Sequence, residues 1–333
     1  MNILLNKYSS TQELALQTLR SQTSEFFMLY GQRLFAFLVF VSYTYLPLHF
    51  ARVYSEELNW LAENHINGLL GLYFVVKDVV TYSYIAFVLL IYKLEHPFFE
   101  QHKINTEAWP WKTDPEGYNV LQKKKMWAAF LGYTVFQLPF TFGGVYLGII
   151  RTSFDFSDLP SYPKLLAQFF FLFFWAEFYF YWMHRLAHTP TFYWVHKKHH
   201  EAINTTVLDA QWVSNWEYFG IDIPAFVGGA LILGSNCHFL TFVMFTIWQT
   251  FSNLDDHSGY EFPWMFTKSL PWCASNIWHN YHHLYNLGNY SAHTILWDII
   301  FGTCKSYADH IDIMEKKKTD KEKITQICAH TLK

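Results

Sequence analysis

A chain of 333 residues that is 52% hydrophobic and 21% aromatic but only 15% charged is too apolar for an ordinary soluble globule, and burial in a membrane accounts for the balance. A formal net charge of -3 spreads no basic field, which excludes nucleic acid as a partner. Cys237, Cys273, Cys304 and Cys328 form no CxxC pair, so the sequence favours neither a disulfide framework nor a thiolate metal site, and a reducing compartment is expected.

Mean hydropathy is only +0.05, so the apolar residues must be gathered into segments separated by polar ones. Residues 1–22 lack a charged start followed by an apolar run and a small-residue cleavage site, and no signal peptide is expected there. Spans of about 20 apolar residues follow in order. The first is 34–50, flanked by Arg33 and Arg52. The second, 68–92, carries Lys77 and Asp78 near its middle and reads as one span facing a neighbour or as two shorter pieces. The polar, proline-containing stretch 109–125 reads as a loop. Residues 126–150 hold no charge and make the most secure span, and 165–183 is interrupted only by Glu177. Lys123, Lys124 and Lys125 place the start of the third span on the cytosol-like face, and the fourth returns the chain there at His184. Gly228, Gly229, Gly234, Ser235 and Asn236 break the stretch 223–250, which predicts a hairpin of two short helices. Residues 315–333 are lysine-rich and read as a solvated tail or exposed helix.

Histidine placement is the strongest chemical signal. Ten of the 17 histidines lie between His184 and His283. Eight of them form three clusters: His184 and His188, then His196, His199 and His200, then His279, His282 and His283. Spacings of three and four residues put imidazoles on one helix face a turn apart. Eight imidazoles exceed what one tetrahedral ion can use, so two metals are expected. Metal-bound histidines commonly donate their second ring nitrogen to a carboxylate. Glu177, Glu201, Glu217, Asp255, Asp256 and Asp298 are near in sequence, with Asp255 and Asp256 the foremost candidates for that supporting role. His238, alone in an apolar stretch, reads as structural, and His293 and His310 are not expected to be ligands. Glu177 within a span is either functional or the partner of a cation on a neighbouring helix.

The strings HRLAH (184–188), HKKHH (196–200), DDHSGYEFPW (255–264) and WHNYHHLYNLGNYSAHTILWDIIFGT (278–303) resemble the fatty acid hydroxylase superfamily, and most nearly its sterol C4-methyl oxidase or sterol desaturase branch. The similarity covers roughly 169–307. It implies a non-haem di-iron centre on the cytosolic side of a membrane, with dioxygen as cosubstrate and electrons from an external reduced haem protein or reductase. The reaction implied is hydroxylation, methyl oxidation or desaturation of a sterol or related lipid. His257 matches a family metal-site histidine and is implied as a ninth ligand. Neutral imidazoles suit iron, and dioxygen activation needs a redox metal with open positions. Lys197, Lys198 and Lys123 to Lys125 are candidates to dock an acidic electron donor.

Two strings depart from the family pattern: Ser214-Asn215 stands where members commonly have His-Pro, and Trp278 where an extra histidine is common. The alternative they raise is a catalytically silent member serving as a structural subunit of a larger membrane complex. A transporter or channel would explain neither HSGY nor GNY. The expectation is therefore an all-α, multi-spanning membrane protein with about four transmembrane helices and a histidine-cage di-metal region. Residues 1–120 form a divergent membrane region, 121–310 the catalytic domain and 311–333 the tail. The resemblance implies the endoplasmic reticulum, with another organellar membrane, such as the mitochondrial inner membrane, as the alternative.

Overall fold

The computed structural model describes residues 31–311 and 313, apart from 105–107 and 270–272. The 1–22 segment, the lysine-rich tail and Cys328 lie outside the described residues. Within them the regular structure is helical, with isolated β-bridges only.

Five helices are long and apolar enough to cross a membrane: α1 (Gly31–Val53), α3 (Ile66–Leu94), α4 (Pro115–Tyr146), α5 (Tyr162–Ala187) and α6 (Asn215–Asn236). A short helix α2 (Ser55–Asn64) links the first pair. Beyond α6 come α7 (Phe239–Asp256), α8 (Asn276–Tyr285) and the short α9 (Leu296–Ile300). The count exceeds the expected four because α6 starts eight residues before the apolar stretch, at Asn215, and passes through a π turn at Tyr218–Asp222 before the break at Gly234. The expected break at Gly234 is present and separates α6 from α7, but α6 is not the short helix expected, since its 22 residues are enough to cross a membrane. Residues 68–92 belong to one continuous helix, and Lys77 faces Asp78 at 3.5 Å within it.

The 109–125 stretch is not the expected loop. Asp114 caps the helix that begins at Pro115 by accepting from the Gly117 N–H at 3.0 Å, and proline is favoured in a first helical turn. The three lysines therefore lie inside α4. Lys125 is buried in an ion pair with Asp209, whereas Lys123 and Lys124 are exposed.

Helix α5 packs on α6 and α7, and α3 also packs against α7. Phe169, Leu172, Phe173, Phe245 and Trp248 fill the core between these helices, together with Phe74 and Tyr73 of α3. Close approach of α6 to α5 depends on glycine: a Cβ added at Gly228 would stand 2.4 Å from Trp175 Nε1. Small residues at crossings let membrane helices pack backbone to backbone. Buried polar bonds fix the register, with Gln168 Nε2 donating to Asn236 O at 2.5 Å and Thr241 Oγ1 to Gln168 Oε1 at 2.7 Å. By contrast Val75, Val79 and Tyr82 of α3 and Trp127 and Phe130 of α4 point outward, as a lipid-facing surface requires.

Candidate metal centre

Nine histidines converge at one end of the bundle in two groups. His184, His188, His196, His200 and His282 form one, and His199, His257, His279 and His283 the other; in each, the ligand atoms lie within 4.8 Å of one another. All nine sequence candidates are included. His188 apart, none is more than 9% exposed.

Three helix ends and two turns deliver them. His184 and His188 occupy the last turn of α5 and its cap, His257 caps the C-terminus of α7, and His279, His282 and His283 lie on α8. A helical turn at Tyr193–His196 and a tighter one at His199–Glu201 carry the middle cluster. The pairs four residues apart, 184/188, 196/200 and 279/283, stay together, whereas 196 and 199, and 279 and 282, go to different groups. At about 100° per residue, a step of four returns within about 40° of the starting direction and a step of three falls about 60° short, which separates the partners.

Backbone carbonyls set the ring orientations. His184 Nδ1 faces Tyr290 O at 2.8 Å, His282 Nδ1 faces Gly288 O at 2.7 Å, His257 Nδ1 faces Asn253 O at 2.8 Å and His283 Nδ1 faces Ala202 O at 3.0 Å. A carbonyl only accepts, so Nδ1 carries the proton in these four rings and Nε2 presents a lone pair. Neighbouring Nε2 atoms within each group stand 2.9 to 3.2 Å apart. Burial also keeps the rings uncharged: it pushes His188 down to about 2 and His282 to about 4, and His196, His199, His279 and His283 well below the ordinary range. Converging lone pairs on neutral, buried rings are what a divalent cation satisfies, and the donor sets fit one ion per group. Five nitrogens are more than tetrahedral zinc takes.

The carboxylate that holds a cage ring is Glu217, whose Oε1 lies 2.6 Å from His196 Nδ1. Asp255 and Asp256 spend their oxygens elsewhere. Asp255 accepts from Tyr84 OH at 2.6 Å and Asn276 Nδ2 at 3.1 Å, and Asp256 pairs with Lys268. They adjoin His257 along the chain without bonding a cage ring. Glu177 is neither a ligand nor a cation partner. It accepts from the N–H groups of His293 (2.7 Å) and Thr294 (3.0 Å) and the Thr294 hydroxyl (2.8 Å), which offsets its complete burial. His238 is structural, capping α7 through Leu240 N at 3.0 Å.

The signature strings now have physical roles. Asp298 of WDIIFGT accepts from the N–H groups of Tyr290 and Ser291, both at 2.9 Å, and from the Thr303 hydroxyl at 2.5 Å, so it presents the GNY carbonyls to the cage. Gly288 has φ +63°, and a Cβ there would lie 2.0 Å from Thr303 O. Ser214 supplies no ligand. Its hydroxyl donates to Val195 O at 2.6 Å and accepts from Glu217 N at 3.0 Å, tying Glu217 to the turn that carries His196. Trp278 packs against Tyr307 and also supplies no ligand. The carbonyl partners escaped the sequence reading because main-chain acceptors leave no residue-type signal.

The candidate docking lysines are only partly free. Lys125 is in its ion pair, and Lys198 donates to Val213 O at 2.7 Å and lies over the Trp212 ring at 4.0 Å, while Lys197 is exposed.

A family model described as fatty acid hydroxylase matches residues 169–303. A methylsterol monooxygenase of Aspergillus fumigatus is 32% identical over 168 residues, 49% of this chain and 54% of that protein. A putative methylsterol monooxygenase of Dictyostelium discoideum is 30% identical over 254 residues, 73% of this chain and 86% of that protein. A very-long-chain aldehyde decarbonylase of Oryza sativa is 33% identical over 162 residues, 47% of this chain and 60% of that protein. The chain thus spans about half the length of the Aspergillus relative. No solved structure gives a significant match.

Proposed function

This chain belongs to the fatty acid hydroxylase family, and from that premise we propose that it is a membrane-bound, dioxygen-dependent lipid oxidoreductase with two iron ions in its histidine cage, acting on a sterol or related lipid. The observation that carries the reading is the division of nine imidazoles, all but His188 buried, into a set of five and a set of four. A metal that takes six ligands keeps at least one position open at each set. Iron held there would supply dioxygen activation and insertion of one oxygen atom into an unactivated C–H bond, the second leaving as water with two electrons and two protons taken up.

The chain's own residues would do the rest. Gly288, Tyr290, Asn253 and Ala202 hold four rings in the tautomer that leaves Nε2 free, and Glu217 orients a fifth. An apolar approach through the membrane helices, whose packed core includes Phe173 and Trp248, would bring a lipid to the cage while admitting little water. Electrons would come from a separate haem protein or reductase, with Lys123, Lys124 and Lys197 as the exposed cations able to meet it. The endoplasmic reticulum is the compartment proposed.

The test is oxidation of a C4-methylated sterol by the purified protein supplied with dioxygen and a reduced electron donor. Turnover that disappears in both His199→Ala and His282→Ala, which strike one set each, is the expected result. A wild-type protein that holds iron and accepts electrons yet oxidises neither sterol nor acyl lipid would overturn the proposal.

A further inference from the structure

The outer face of α9 is apolar and open: Ile299 is 56% and Ile300 65% exposed, and Leu296 and Phe301 are exposed beside them. Its single charge, Asp298, is fully buried on the opposite side, where it accepts from the Tyr290 and Ser291 N–H groups. A helix of five residues cannot cross a membrane, so the role of the long apolar helices does not account for this face. Bulky apolar side chains gathered in one exposed patch mark a surface that something covers.

Contacts with α5 fix the depth of the patch. Phe171, Phe174, Phe178 and Trp182 stand out from α5 at steps of three and four, an outward stripe on a helix long and apolar enough to span the membrane. Trp297 packs on Phe178 at 5.5 Å between ring centroids and Phe301 on Trp182 at 4.8 Å, so α9 is laid along that stripe. Both contacts fall inside the apolar run 165–183, and at about 1.5 Å per residue Phe178 lies about 7 Å short of its end. Arg185 donates to Tyr181 OH at 3.2 Å and lies over the Trp182 ring at 5.8 Å. Arginine and tryptophan side by side at the end of a span mark the headgroup boundary, which puts α9 on its hydrocarbon side.

We propose that α9 is an interfacial helix whose Leu296, Ile299 and Ile300 side chains are immersed in the acyl region of the leaflet on the cage side, and that this immersion holds Asp298 against the turn that orients the five-histidine set. A lipid leaflet is the occupant because the patch continues the outward stripe of α5, and a protein covering α9 would have to enter the bilayer beside it. Asp298 carries the anchorage inward. It fixes the Tyr290 and Ser291 amides, and the carbonyls of Tyr290 and Gly288 face His184 and His282. The carbonyls that face His257 and His283 come from Asn253 and Ala202, so α9 bears on the five-histidine set and not on the other. The inference rests on α5 spanning the membrane and is independent of which lipid is oxidised.

The test is electron paramagnetic resonance on the full-length protein in lipid nanodiscs, with Cys273, Cys304 and Cys328 replaced by serine and a nitroxide attached at Ile300→Cys or, separately, at Ile299→Cys. Oxygen concentrates in the acyl region and a nickel chelate stays in water, so their collision rates report depth. Labels at Val79→Cys, on the outward face of α3, and at Lys197→Cys, exposed near the cage, give the lipid and water references. Loss of nickel collisions and a gain in oxygen collisions at positions 299 and 300, to the level at 79, is the expected result. Nickel access equal to that at 197 overturns the inference. Shielding from both reagents also overturns it, because a protein or a second copy of the chain would then cover the patch.

The link to the cage is read by amide hydrogen exchange in the double variant Ile299→Asp/Ile300→Asp, whose short charged side chains cannot snorkel as lysine does. Exchange at Tyr290 and Ser291 should quicken while the amides of α7 keep their wild-type rates. Melting temperature identifies folded protein, and Ile300→Asp alone carries the comparison if the double variant does not fold. Wild-type protection at Tyr290 and Ser291 in the folded variant overturns the proposed link.

Discussion

Glu217 shows how much a single side chain does in this cage. It is fully enclosed, capped by Ser214 and bonded to His196. Glu217→Gln keeps the shape but removes the charge that holds the imidazole N–H. Partners of this kind typically contribute 10–100-fold in metal affinity, so chelator competition should show a loss in that range from the five-histidine set with the four-histidine set retained. Unchanged competition curves would mean that the carbonyl-held rings suffice. At Gly288, the alanine methyl would meet Thr303 O in a backbone conformation that L-residues rarely adopt. Gly288→Ala should lower the melting temperature and, in whatever folds, release His282 from its carbonyl. A variant with wild-type melting temperature and iron content would contradict that account of the GNY string.

At the scale of elements, the cage is built where helices stop. The C-terminal end of α5, the cap of α7 and the turns between α5 and α6 supply six of the nine rings, and α8 supplies the other three. Glu177, more than a turn earlier on α5, anchors the chain between α8 and α9. Glu177→Ala would strand two buried N–H groups and should destabilise by about 1–3 kcal/mol for each, read as a fall in melting temperature, while folded protein keeps its iron. Iron loss without destabilisation would instead place Glu177 in the metal site. The histidines themselves were legible in their clustering. Their division into two sets was present in the same spacings, since steps of four stay together and steps of three part, but the sequence reading treated both steps as one face. Asp255 and Asp256 drew attention by adjacency to His257, whereas Glu217 reaches His196 only through folding of the intervening loop. Lys125, placed by its neighbours on a surface, is buried because Asp209 lies opposite in three dimensions, which no local pattern encodes.

Across the whole molecule, five apolar helices carry a polar, buried cage at one end, and the membrane character was legible from the length of the apolar stretches alone. The extra span was hidden because Glu217 and Asp222 interrupt its start in the sequence. Collective burial has a consequence for pH. His188 and His282 take up protons far more reluctantly in the folded chain than in the unfolded one, with His282 near about 4 against an ordinary 6.5. The unfolded state therefore binds protons first as pH falls, and stability that is complete above about 6.5 is lost progressively toward about 4. Protonation also competes with metal for the same nitrogens, so acid acts in one direction on both. Melting temperature and retained iron should fall together from pH 7 to pH 4.5, and a flat profile would contradict the buried, neutral cage.

The most direct test of the central claim is metal content per chain, by mass spectrometry on protein purified gently from its native membrane. The account predicts about two iron ions per chain, with His282→Ala depleting one and His199→Ala the other, because the donors divide into two sets that each suit a redox metal. A cage that is empty, or that holds a single zinc, in protein that is folded and freshly isolated would contradict it and would favour a chain retained as a structural subunit.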